Sequence, residues 1–429
     1  MKSVFKKIIS KILQFESNLV IKKYKPKIIA VTGSVGKTSS KDAIFSVMAT
    51  SFYVRKSEKS FNSDIGIPLT ILGCENAWSN PLKWFLNIWK GVCLICLKNN
   101  YPEWLVIEVG ADRPNDIKNI SKWLKPDVVV VTRFAKVPVH VEFFGNRESL
   151  IREKRYLVEA LKHDGVLVAN VDDIDAMEMA RGVKNKVITY GLTGEADLKA
   201  TNIGINYENN FANGMSFKVE YKENVVPIFI KDSLGMQNIS SSLCAIAVGI
   251  SQNINIVKAG EGLLKHEAPK GRMRIVKGIK GSIILDDTYN ASPVALESAL
   301  NTIKEVETKG RKIALLGDMM ELGIHSAEEH YEAGKKVADS CDVLFTVGVR
   351  SRKIVEGALD SKMNELNIFQ FDNSIDAGKA LQEFITEGDF ILAKGSQSTR
   401  MERAVEEIMA EPEKASEMLV RQEEEWKKR

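Results

Sequence analysis

The sequence predicts an α/β fold, with a mostly parallel central sheet domain followed by a Rossmann-like α/β domain. Three observations predict it. Short apolar runs alternate with helical patterns along most of the chain, as in parallel sheets covered by helices. A glycine-rich turn, Thr32-Gly33-Ser34-Val35-Gly36-Lys37-Thr38-Ser39, separates the apolar run Ile28-Ile29-Ala30-Val31 from a helical stretch ending at Met48. A second alternating series begins after Ala268-Pro269-Lys270-Gly271-Arg272, which reads as a linker.

The elements follow in order. Residues 1–27 hold eight lysines and one glutamate, with Phe5, Ile8, Ile9, Ile12, Leu13 and Phe15 near helical spacing. Such a basic amphipathic helix either docks on its own domain or lies on an anionic membrane surface. Residues 78–97 are rich in Trp, Phe, Leu and Ile but interrupted by Lys83, Asn87 and Lys90, so they are not a spanning segment. Strand-like runs fall at 28–31, 104–108, 127–132, 166–170 and 186–190, with helical patterns at 38–49, 115–123 and 147–162. Residues 197–231 read as an antiparallel appendage, followed by helices at 237–252 and 256–264. The second series has strands at 282–286, 312–316, 342–347, 367–371 and 389–393. Its helices are expected at 293–306, 326–340, 351–358, 375–387 and 398–410. The expected division is therefore 1–27, a basic helix; 28–268, the central domain; 269–410, the C-terminal domain; and 411–429, a charged tail, solvated or disordered.

A chain of 429 residues with 44% hydrophobic and 27% charged residues is an ordinary globular composition. A net charge of +4 is too small to point to nucleic acid. Five scattered cysteines and no secretory signal fit a reducing cytoplasm. Cys93 and Cys96, in an apolar setting, read as buried structural thiols rather than a metal pair.

The glycine-rich turn carries the first chemistry. Between a strand and a helix N-terminus it aims N–H groups at a phosphate. Lys37 adds a charge at the β/γ-phosphates and Thr38 a hydroxyl for Mg²⁺. Two residues, Ser34 and Val35, separate the first glycine from Gly36-Lys37, where the usual pattern has four. The central domain thus reads as P-loop ATPase-like. Glu108 ends an apolar run, where parallel sheets open onto their ligands. It is either an Mg²⁺ ligand or a helix N-terminal charge. His140 and Lys154 would each be an ordinary polar residue if taken alone.

Together these motifs resemble the Mur ligase family, the ATP-dependent amide ligases of peptidoglycan assembly, over about residues 28–410. Further motifs carry the likeness: Asn62-Ser63-Asp64-Ile65-Gly66-Ile67-Pro68-Leu69-Thr70, Glu108-Val109-Gly110-Ala111, His140-x-Glu142-x-Phe144-Gly145 with Lys154, Asp286-Asp287-Thr288-Tyr289-Asn290-Ala291-Ser292-Pro293, Gly317-Asp318-Met319-Met320-Glu321-Leu322-Gly323 and Lys394-Gly395-Ser396. The likeness is greatest to the branch that adds D-alanyl-D-alanine to a muramoyl peptide.

The resemblance implies site roles. Gly33, Ser34, Val35, Gly36, Lys37, Thr38 and Ser39 would hold ATP phosphates. Thr38 and Glu108 would bind one Mg²⁺, and His140 a second, bridged by a carbamate on Lys154. Asn238 would lie near the adenine. Arg272, Asp287, Tyr289 and Asn290 would reach the nucleotide from the C-terminal half, with Lys37, Lys154 and His140 catalytic. It also implies a cytoplasmic monomer acting on small molecules; the lysine-rich stripe of residues 1–27, rather than the resemblance, adds peripheral contact at the inner membrane face as an alternative to the docked helix. The family's N-terminal UDP-holding domain has no counterpart in the sequence, which leaves the acceptor's carrier, UDP or lipid, open. Two other readings stand beside this one: a related ligase adding a diamino acid or glutamate, and a non-catalytic nucleotide-binding protein. The Asp-Asn-Pro-Arg motif of the diamino-acid adders is absent.

Overall fold

The computed structural model describes residues 2–58, 61–134 and 144–427. Its first sheet contains β1 (Lys27–Thr32), β2 (Val54–Lys56), β3 (Trp104–Glu108), β4 (Val128–Val131), β5 (Val166–Asn170), β6 (Lys186–Gly191), β7 (Leu198–Glu208), β8 (Phe211–Tyr221) and β9 (Asn224–Lys231). Their order is β2-β3-β1-β4-β5-β6-β7-β8-β9. Pairing is parallel as far as β7 and antiparallel from β7 to β9. The central strands β3, β4 and β5 are buried at every position, as expected of parallel strands covered on both faces. The antiparallel appendage expected at 197–231 is present.

The second sheet contains β10 (Arg274–Lys277), β11 (Ile283–Asp287), β12 (Lys312–Gly317), β13 (Val343–Val347), β14 (Ile368–Phe371) and β15 (Phe390–Lys394), in the order β10-β11-β15-β12-β13-β14. Only β10 runs antiparallel to its neighbour.

Topology positions the site. In the first sheet the chain leaves β1 towards β3 on one side and β4 on the other, so a crevice opens beyond the C-terminal end of β1. The glycine-rich loop fills it. In the second sheet the C-terminal ends of β11 and β15 lie side by side, bringing Asp287 beside Lys394.

Helix α1 (Lys2–Tyr24) packs on α3 (Gly66–Leu72) and α4 (Pro81–Cys96), whereas α2 (Lys37–Met48) follows the loop. Ile9, Leu13 and Val20 are buried in one cluster with Ile67, Trp84 and Leu94. Ile9 and Leu13 of the apolar stripe of α1 are thus spent on its own domain, as the docked-helix reading expects, whereas Ile12 is half-buried and Ile8 and Phe15 stay exposed. Lys23 Nζ donates to the carbonyls of Leu94 and Ile95 at 2.9 and 3.0 Å, a cation closing the C-terminal end of α4.

Two expectations are corrected. Cys96 is exposed and Cys93 only half-buried, because both lie toward the outward side of α4. The tail beyond residue 410 is not a solvated segment throughout. Leu419 and Val420 are buried, and Arg421 is buried with them. Its guanidinium donates to Glu402 Oε2 at 3.0 Å and to the Thr288 carbonyl at 3.1 Å, and also reaches the Tyr289 carbonyl. An apolar pair and an internal ion pair hold down a segment whose bulk composition reads as solvated.

Candidate active site

The loop takes its shape from two glycines. Gly33 has φ +136°, and a Cβ there would meet Thr132 Oγ1 at 2.0 Å. Gly36 has φ +85° and caps α2 with no side-chain bond to the first helical turn. The amides of Ser34 and Val35 donate to the Arg133 carbonyl at 2.8 and 3.0 Å. They are thus committed within the protein, and the opening turn of α2 is what faces an incoming anion.

Around this turn the charges converge. Lys37 Nζ donates to the Ser34 carbonyl at 3.2 Å. Burial lowers its pKa, with Glu108 opposing and Arg272 adding to the effect. Glu108, at the end of β3, accepts from Thr38 Oγ1 at 2.9 Å and from Asn62 Nδ2 at 3.1 Å. Asn62, whose motif drew attention with no role attached, orients this carboxylate. Its loop is tied to α1, since Ser10 Oγ donates to Asp64 Oδ2 at 3.2 Å. A hydroxyl and a carboxylate so close to a phosphate-binding turn are the oxygen donors that Mg²⁺ prefers.

Lys154 lies on the helix Arg147–Glu159 and is buried. Its pKa falls to about 7, first through burial and then through Lys37, against the pull of Glu108 and Glu153. An amine titrating there is largely uncharged just above neutrality, unlike an ordinary lysine. His140 and Glu142 lie outside the described residues.

The second sheet supplies the facing wall. The Arg272 guanidinium stacks 4.2 Å from the Tyr289 ring centre, and its Nε is buried with no hydrogen-bond partner among the described residues. Lys394 Nζ pairs with Asp287 and donates to the Asn290 carbonyl at 3.0 Å, all in a buried setting. Asp286 accepts from the Thr288 hydroxyl at 2.6 Å, yet burial raises its pKa to about 6.

Two cavities meet at the opening of α2. The larger, about 1350 Å³, is lined by Lys37, Thr38, Glu108, Arg272, Tyr289 and Asn290 among others. Lys6 and Lys7 reach it from α1 and Trp426 from the tail. The smaller, about 340 Å³, is lined by Thr38, Ser39, Gln237, Ser241, Asp287 and Lys394 among others. Most of the expected residues are thus assembled on one centre. Asn238 lines neither cavity: its amide donates to the Leu234 carbonyl at 2.9 Å. Gln237 and Ser241 beside it take the lining positions. Arg421 and Trp426 escaped sequence reasoning; the only signal was Leu419-Val420 within the charged run.

A phosphate loop with a paired hydroxyl and carboxylate, closed by a second α/β unit, defines a nucleotide-dependent enzyme acting between two lobes. Residues 90–249 match the Mur ligase middle domain and residues 271–397 the Mur ligase glutamate ligase domain. The UDP-N-acetylmuramoyl-tripeptide–D-alanyl-D-alanine ligase of Bacillus subtilis (strain 168) is 30% identical over 388 residues, covering 90% of this chain and 76% of that protein. The enzyme of the same name from Escherichia coli (strain K12) is 25% identical, covering 88% and 76%. Among solved structures, MurF ligase from Thermotoga maritima in complex with ADP matches with TM-score 0.75 and 24% identity, covering 95% of this chain and 84% of that one. MurF from Acinetobacter baumannii matches with TM-score 0.74 and 21% identity, covering 92% and 79%. The chain belongs to the Mur ligase family, and is an ATP-dependent ligase.

Proposed function

We propose that this protein adds D-alanyl-D-alanine to the carboxylate of a muramoyl peptide at the expense of ATP, within peptidoglycan precursor synthesis. The observation that carries the reading is the convergence of Lys37, the Thr38–Glu108 pair, Arg272 and Tyr289 on one cavity between the two sheets. Residues 28–268 form the nucleotide-binding lobe in this reading, and residues 269–410 the lobe that closes on it.

The acceptor carboxylate attacks the γ-phosphorus of ATP, giving an acyl phosphate and ADP. The dipeptide amine then attacks the acyl carbon, phosphate leaves, and the amine proton passes to solvent or base. Gly33 to Ser39 cradle the phosphates, chiefly through the opening turn of α2. Lys37 and Arg272 offset the charge on the transferring phosphoryl group. Asp287, Tyr289 and Asn290 contact the nucleotide from the second lobe. The vacant Arg272 Nε supports an anion between the lobes.

Mg²⁺ supplies further charge neutralisation. Thr38 and Glu108 fit one ion, and His140 with Lys154 would hold a second. A buried ammonium does not suit a cation site, but an amine with pKa about 7 suits reaction with CO₂. The neutral nitrogen bonds to carbon, a proton leaves, and an anionic oxygen ligand replaces the cation.

Small soluble substrates and a need for ATP favour action in the cytoplasm. Ile9 and Leu13 of the apolar stripe of residues 1–27 are spent on packing, so any membrane contact of that segment rests on its lysines with the exposed Ile8 and Phe15. The decisive experiment is phosphate release with D-Ala-D-Ala against single amino acids, using UDP-linked and lipid-linked muramoyl peptides as acceptors. Turnover with a diamino acid and none with the dipeptide would move the enzyme to another branch of the family.

A further inference from the structure

Helix α4 presents its apolar face outward. Leu82, Phe85, Leu86 and Trp89 are 54–67% exposed, and Val92 and Leu97 continue the row. Their spacing is that of one helical face. The inward side, Trp84, Gly91 and Leu94, packs on the protein. A contiguous apolar stripe with an aromatic at its centre is not ordinary surface.

On α4 itself the charge has one sign, although Glu58 and Glu75 border its start beside Lys83 and Leu86. The segment from Leu82 to Asn100 carries Lys83, Lys90 and Lys98 and no acidic residue. Alongside it, α1 adds exposed Lys11 and Lys22, while the Lys23 ammonium is held by the carbonyls at the end of α4. The single acid of α1, Glu16, is buried beneath α4. A Cβ at Gly91 would lie 2.3 Å from its Oε2, so the glycine permits this close approach. The outer layer of α1 and α4 therefore shows lysines around an apolar strip, and no carboxylate of its own. Among the described residues no helix is long and apolar enough to cross a membrane.

We propose that the outward face of α4 is a membrane-docking surface, seating Phe85, Leu86 and Trp89 at the interface of an anionic bilayer while the flanking lysines meet its headgroups. The inference goes beyond the ligase reading and does not depend on the acceptor's carrier. Since α1 links α4 to the larger cavity through Lys6 and Lys7, docking sets that cavity at a fixed place relative to the bilayer surface.

The test uses the full chain with vesicles of phosphatidylglycerol and phosphatidylcholine, or phosphatidylcholine alone, at low and high salt. Expected are co-sedimentation with the anionic vesicles, loss at high salt, and a blue shift of tryptophan emission that Trp89→Phe abolishes. Phe85→Ser combined with Trp89→Ser should weaken binding at least tenfold with ATP-dependent ligation in solution unchanged. Both positions are exposed, so folding is not at stake, and unchanged ligation verifies it. A ligation-competent protein that ignores anionic vesicles at low salt overturns the proposal. So does undiminished binding by the double variant. A concentration-dependent dimer that the same variant dissociates, without vesicle binding, assigns the face to a second copy and also overturns it. Failure of the ligation assay with vesicle binding intact would count against the proposed activity alone.

Discussion

The buried pair Lys394–Asp287 allows a prediction whose size can be worked out. Lys394→Met keeps the volume but leaves Asp287 without its cation. Both side chains are almost fully buried, so the carboxylate cannot be rescued by water. Burial already raises its pKa, and Lys394 is the chief force opposing that rise. Without the lysine the carboxyl takes up a proton. Holding it neutral at pH 7, about 3 pH units above its ordinary value of 3.8, costs about 4 kcal/mol, which is a ceiling. Arg272 and the Met273 amide still favour the charged form, so about 3 kcal/mol is expected. The sign follows from linkage. A carboxyl whose folded pKa is raised leaves stability intact below its unfolded pKa and lowers it as pH rises towards the folded one. The penalty should therefore shrink to between 1 and 2 kcal/mol, roughly, at pH 5. Urea unfolding of the parent and variant at pH 5, 6 and 7 measures it. Asp287→Asn with Lys394→Met removes the titrating group, so the extra loss of stability that the single variant shows between pH 5 and 7 should be absent. A single-variant penalty equal at pH 5 and 7 would refute the reasoning.

Other outcomes follow from the same geometry. Lys37→Ala should reduce ATP turnover by orders of magnitude, because preorganised charge at a transferring phosphoryl is worth several kcal/mol; a near-normal rate would sink its assignment. Lys154→Ala should be nearly inactive and partly recover with a short carboxylic acid, while Lys154→Arg, which cannot form a carbamate, should stay inactive. With an amine pKa of about 7, parent activity should rise through neutrality and respond to added bicarbonate on the acid side; indifference to bicarbonate there would contradict the carbamate. Arg421→Ala leaves Glu402 buried with Arg400 as its remaining cation and frees the carbonyls of Thr288 and Tyr289. It should cost about 2 kcal/mol of stability and raise the KM for ATP, and unchanged values of both would show the tail to be a bystander.

Much of the fold was legible because the strong signals are physical. Buried parallel strands are continuous apolar runs, and Val128–Val131 or Phe390–Lys394 admit few other readings. The strands that escaped were short or at an edge. Val54–Lys56 has three residues, two of them charged. Arg274–Lys277 has one buried position. Within the appendage expected at 197–231, register shifts near Thr201 and Asn206 blur the alternation of Leu198–Glu208 as an individual strand. At the site, side chains on element ends were legible from motif and position together: Lys37, Glu108 and Asp287. Those defined by what they meet in space were not. Nothing local distinguishes Asn238, turned back to Leu234, from Gln237, which faces the cavity. Nothing local says that Arg421 finds Glu402, nineteen positions earlier.

The two ends of the described chain meet at one place. Lys6 and Lys7 enter the larger cavity from the first helix, and Trp426 enters it from the last. The Trp426 ring lies edge-on to Trp78 at 6.1 Å. A bulky group attached beside Lys7 or Trp426 would crowd the mouth of the site. Conversely, dyes attached near residues 7 and 426 would both sit at that mouth. Energy transfer between them would then report its opening and closing directly, with no label on either lobe's interior.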